Sequence, residues 1–103
     1  MRRIVRSRTY VAQLKGLLDQ GIERFGTAVV EQKLAQVDRT LEVFLARHPK
    51  AKRPDRRFDL RVYPVTDTPF MVLYDFTETE LRAHFIFHKS ASLEDLDPKS
   101  AEW

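Results

Sequence analysis

Two periods of apolar residues divide the chain. From Val11 the apolar positions Val11, Leu14, Leu18, Ile22 and Phe25 recur at helical spacing, and a second set follows at Val30, Leu34, Val37, Leu41 and Phe44. Gly26 between them supplies a stop, with Thr27 placed to cap the second helix, and His48-Pro49 ends it. The pattern predicts an antiparallel helical hairpin over about 9–48, each helix presenting one apolar face. Beyond the hairpin the period becomes two. "FDLRVYPV", "PFMVLYDF" and "ELRAHFIFH" read as three strands, the last two joined by the turn Thr77-Glu78-Thr79-Glu80. Ile4-Val5 reads as a short opening strand. The expected architecture is α+β: a short N-terminal strand and helical hairpin packed on one face of a small antiparallel sheet spanning about 58–88.

Pairing across the 77–80 turn sets Phe76 opposite Leu81, Tyr74 opposite Ala83 and Val72 opposite Phe85. One face then carries Phe70, Val72, Tyr74, Phe76, Leu81, Ala83, Phe85 and Phe87 and receives the helices. The other face, with Met71, Leu73, Asp75, Arg82, His84, Ile86 and His88, is expected to be open. A tail over 90–103 completes the chain, ending in a short helix from Leu93 or in a segment that brings Trp103 back onto the body.

A chain of 103 residues is large enough for one domain with a real core. It has no cysteine, which excludes disulfides, thiolate metal sites and thiol nucleophiles. The start "MRRIVRSRTY" lacks the apolar stretch of a signal peptide, and no run is long enough to span a membrane. A cytoplasmic protein with no membrane partner is expected.

Charge placement says more than the net value of +3. Residues 47–61 carry seven Lys/Arg against Asp55 and Asp59, about +5 locally, while Glu94, Asp95, Asp97 and Glu102 make the tail acidic. Such a basic segment is a solvated linker or the footprint of an acidic partner. No metal site is expected, because His84 and His88 stand roughly 13 Å apart along a strand. Arg82 is placed to pair with Asp75. His88 and Lys89 close the last strand, either as a polar cap or as a proton-transfer pair.

In their order, "LARHPKAKRPD", "LRVYPVTDTPFMVLYDF" and "ELRAHFIFHK" resemble the RelE/ParE superfamily of toxins from type II toxin–antitoxin systems, nearest to the ParE-like, plasmid-stabilisation branch. The resemblance covers residues from about 3 to 90. It implies a single-domain toxin that inhibits growth, uses no cofactor, and is neutralised by a cognate antitoxin wrapping the helices and the open sheet face as a hetero-oligomer. ParE-like members inhibit DNA gyrase; RelE-like members cut mRNA on the ribosome. For cleavage, His88 would be acid or base and Lys89 a phosphate cation, with Lys50, Lys52, Arg53, Arg56, Arg57, Arg82 and His84 contacting phosphate or target. Met71 stands where the RelE-like enzymes have an arginine, and "SASLEDLDPKSAEW" has neither arginine nor tyrosine, so the resemblance favours binding over cleavage. A nucleic-acid-binding regulator and a degenerate toxin that only binds its partner are the remaining alternatives.

Overall fold

The computed structural model describes residues 1–103. Strand β1 (Arg3–Arg6) leads into helix α1 (Arg8–Phe25) and helix α2 (Thr27–Arg39), which continues as a π-helical turn over Thr40–Leu45. A 3₁₀ turn (Pro49–Ala51) precedes β2 (Pro54–Asp55), β3 (Leu60–Pro64), β4 (Phe70–Phe76) and β5 (Glu80–His88). The strands form one sheet in the order β1-β5-β4-β3-β2, with β1 parallel to β5 and the other pairs antiparallel.

Local chemistry explains the joints. Ser7 caps α1: its Oγ accepts from the Tyr10 amide at 2.8 Å and donates to the His84 carbonyl at 2.7 Å. The helix start is thereby fastened to β5. Gly26 takes φ 85°, a conformation that side chains resist, and its amide donates to Ile22 O at 3.0 Å. Gly26, not Thr27, occupies the position before α2; Thr27 is already helical and makes no cap.

The helix face of the sheet holds the larger core cluster: Tyr10, Val37, Leu41 and Leu45 from the helices, packed on Val72, Tyr74, Leu81, Ala83 and Ile86. Two expectations about the helices change. In α1 the inward residues are Tyr10, Leu14 and Leu17, whereas Val11, Ile22 and Phe25 of the expected stripe are exposed. In α2 the inward run is Val37, Leu41, Leu45, because the i→i+5 turn is wider than an α-turn and carries Phe44 outward.

The second sheet face is not open. Past the turn the pairs are Phe76–Leu81, Asp75–Arg82 and Tyr74–Ala83, but Leu73 then faces Phe85. His84 is the extra residue of a β-bulge, and beyond it every β5 side chain has changed sides. Phe85 and Phe87 therefore join Met71 and Leu73 on the second face, while Ile86 and His88 turn to the helix face. Over this second face lies a separate apolar cluster of Phe58, Leu60, Met71, Leu73, Phe85 and Leu93, flanked by Ala91, Leu96 and Ala101. The chain's own tail, built of turns and without a helix, covers it. Its end is clasped by α1: the Arg8 and Thr9 amides donate to Glu102 O at 2.6 and 3.3 Å, and the Glu102 amide donates to Thr9 Oγ1 at 2.9 Å. Trp103 sets its ring edge-on to His84 at 4.7 Å. No helix is long and apolar enough to cross a membrane.

Candidate target-binding surface

Which cations remain available is decided by the ones the fold already uses. Arg82 holds Asp75 in a two-pronged pair at 2.8 and 2.7 Å, as the register predicts. His84 Nε2 approaches the same carboxylate at 3.0 Å, off the line of a hydrogen bond, so neither ring nitrogen has an aligned partner. Burial alone raises the Asp75 pKa, but the contacts with His84 and Arg82 outweigh it and hold the carboxyl below its ordinary value. Arg82 thus ties β5 to β4, and His84 lies between Asp75 and Trp103 of the tail. Arg57 is likewise engaged: it pairs with Asp55 at 3.1 Å, and its side chain and amide keep that carboxyl low. Arg3 pairs with Glu80, and Arg6 with Asp38 and Glu42.

Arg2, Arg47, Lys50, Lys52, Arg53, Arg56 and Arg61 have no carboxylate partner. They come from the chain's start, from the segment joining the π-turn to β3, and, for Arg61, from β3 itself. Two bonds orient that segment: Tyr74 Oη donates to Pro49 O at 2.8 Å, and the Arg61 guanidinium donates to Lys52 O. The guanidiniums of Arg2 and Arg61 lie 5.0 and 5.1 Å from the centroid of Phe76, each worth about 0.5–1 kcal/mol at such a site. Of these cations Arg47 and Arg61 lie within the basic 47–61 run, and Arg2 belongs to a second basic cluster, with Arg3, Arg6 and Arg8, at the start of the sequence. Arg2 is far away in sequence, and only the parallel pairing of β1 with β5 brings it to the Phe76 end of the sheet.

His88 and Lys89 lie elsewhere. His88 faces Phe70, whereas Arg61 faces Tyr74. Four strand residues, roughly 13 Å, separate these positions. The exposed His88 ring turns Nδ1 to Ser90, 2.6 Å from Oγ and 3.1 Å from the amide, which is the geometry of a polar strand cap. Lys89 gives its amide to Pro69 O. Met71 is buried under the tail, 7% exposed, where an arginine would have no room to reach a phosphate. The bulge also puts His84 and His88 on opposite faces of the sheet, and no group of three or more metal-ligating side chains assembles anywhere.

A second surface lies along the hairpin. A cavity of about 190 Å³ opens between the helices and the β4 start, lined by Leu17, Gly21, Phe25, Val29, Val30 and Phe70. Arg24, Lys33 and His88 stand at its rim. Ile22, Phe25 and Val29 are all substantially exposed beside it, an apolar stripe that nothing in the chain covers.

These elements define an α+β fold with a helical hairpin on one sheet face and a tail on the other. No family model matches the chain, and no curated protein matches it in sequence. Among solved structures it resembles a chain of the chromosomal ParDE TA system from P. aeruginosa, with a TM-score of 0.65 and 20% identity, covering 85% of this chain and 96% of that one. The two chains share an α+β fold.

Proposed function

We propose that this chain is the toxin of a type II toxin–antitoxin pair, neutralised by a cognate antitoxin and stopping growth by binding DNA gyrase. The likeness to the ParDE structure supports the first part. The placement of groups supports the second: the His88 and Arg61 positions lie about 13 Å apart along the sheet, and Arg82, a phosphate cation expected for cutting mRNA, is engaged by Asp75. Binding needs only a surface, and the unpaired cations around Arg47–Arg61 provide one. The antitoxin is assigned to the hairpin. With the second sheet face under the tail, the exposed Ile22, Phe25 and Val29 beside the apolar cavity are the face left for it.

The test is induction in bacteria with and without the neighbouring antitoxin gene, using the wild-type chain and His88→Ala. Growth arrest by both proteins, relieved by the antitoxin, is the expected outcome. Arrest by the wild type alone would return His88 to a catalytic role, and no arrest by either would leave a fold that only binds its partner.

A further inference from the structure

Phe44 falls inward by helical periodicity, yet the π-turn over Thr40–Leu45 gives the inward place to Leu45. Phe44 is 40% exposed and its neighbour Val43 50%. The Phe44 ring lies 5.4 Å from His48 and 5.7 Å from Tyr63, making an aromatic row at the surface. Next to it is a recess of about 460 Å³ lined by Arg2, Arg47, His48, Pro49, Lys50 and Ala51. Its lining contains no acidic residue, and Arg2, Arg47 and Lys50 have no carboxylate partner. The turn seats Leu45 in the core, and by the same geometry it exposes two apolar side chains beside cations that have no carboxylate partner.

We infer that this surface, formed by Val43, Phe44, Arg47, His48, Lys50 and Arg2, docks the target, and that the target presents an acidic protein segment carrying one apolar or aromatic anchor. The inference rests on reading the chain as one that acts by binding. Three observations choose a protein segment over nucleic acid. Phe44 meets both His48 and Tyr63 at tilted angles of 46°, so the three rings share no plane on which successive bases could stack, whereas a side chain can pack among their edges. Val43 adds apolar area with no π-face. The Arg2 guanidinium is held by Phe76 and by its Nε bond to Thr77 O at 2.6 Å, so little freedom is lost when its terminal nitrogens meet a carboxylate. The tail of a second copy is a poor occupant, because its apolar anchors Leu93 and Leu96 already pack on their own sheet.

Fluorescence anisotropy on the full chain tests this with three labelled probes: a glutamate-rich peptide with a central Phe, the same peptide with Ser in that place, and an oligothymidylate of equal charge. The Phe peptide is expected to bind best. Phe44→Ala and the charge-reversing Arg47→Glu should each weaken it about tenfold, while Lys15→Glu, on α1, should not. Both sites are exposed, and thermal unfolding checks that each variant is folded. Failure of the Phe peptide to bind, equal loss with Lys15→Glu, or tighter oligothymidylate binding that ignores Phe44→Ala would overturn the surface. Induction of the same variants separates this from the toxin reading. Wild-type chain that binds the peptide but does not arrest growth sinks the toxin reading alone; full arrest by Phe44→Ala and Arg47→Glu sinks the surface alone.

Discussion

His84 Nε2 stands 3.0 Å from Asp75 Oδ1, although His84 is the residue that the β5 bulge leaves without a cross-strand partner. The bulge aims the imidazole along the second sheet face, where it meets both the carboxylate and the edge of Trp103. Asp75 thus joins β4 to β5, and His84 carries the link on to Trp103 of the tail.

Asp75→Asn should therefore destabilise the chain by about 1–3 kcal/mol, since Arg82 loses its charged acceptor and His84 the carboxylate beside it. The effect is pH-dependent. The folded Asp75 pKa lies below the unfolded value of about 4, so its stabilisation is complete above that value and disappears as pH falls through the folded one. Urea unfolding across acidic pH should show wild type and variant converging; a gap that stays constant down to low pH would remove Asp75 from this role.

Gly16 and Gly21 both lie in α1, yet alanine should act oppositely at the two. A Cβ at Gly16 meets nothing within 4 Å, so Gly16→Ala should gain about 0.5–1 kcal/mol of helix propensity. At Gly21 a Cβ would come within 2.9 Å of Val30 Cγ2, and valine in a helix has little rotamer freedom to withdraw. Gly21→Ala should lower the melting temperature and Gly16→Ala raise it. Equal shifts would mean that the two helices do not approach as closely as described.

Much of this fold is written in the periodicity. The two helices, the 77–80 turn and the pairing of Phe76 with Leu81 follow from spacing alone. Two features do not, and a third is marked in the sequence. "FIF" at 85–87 is apolar on both sides, so alternation carries no mark of the bulge at His84, and one extra residue reverses which face Phe85 and Phe87 take. "MVLY" at 71–74 is the signal that was there to be read: a strand apolar on both faces is covered on both. The π-turn is invisible because Phe44 and Leu45 are adjacent and equally apolar. Of the candidate site, the 50–57 cations were legible as a charge run and the Arg82–Asp75 pair as a cross-strand register, but the grouping with Arg2 depends on the sheet order and the approach of His84 to Asp75 depends on the bulge.

The tail should behave as part of the core. Leu93→Ala, which empties a buried site between Met71, Leu73 and Phe85, should cost about 2–3 kcal/mol. Removing residues 91–103 should uncover that apolar face and drive self-association, visible by light scattering. A truncated chain that stays monomeric and fully stable would contradict a structural tail.

Tyr10 is fully buried, and its hydroxyl has no aligned hydrogen-bond partner. Burial pushes its pKa up to about 12 from an unfolded value near 10. Folding thus keeps the phenol neutral, and this stabilisation, whole below pH 10 or so, is lost as pH rises through the folded value. Tyr10→Phe should be neutral or slightly stabilising at pH 7 and should resist alkaline unfolding better than wild type. A large loss of stability at pH 7 would instead reveal a hydrogen bond to that hydroxyl.

Pulse-labelling of DNA and protein synthesis, after inducing the chain in bacteria without its antitoxin, tests the central claim most directly. A chain that acts through a binding surface on gyrase should depress DNA synthesis first, and His88→Ala should do the same. A prompt fall in protein synthesis while DNA synthesis continues, abolished by His88→Ala, would contradict the account and make His88 and Lys89 the active site of a ribonuclease.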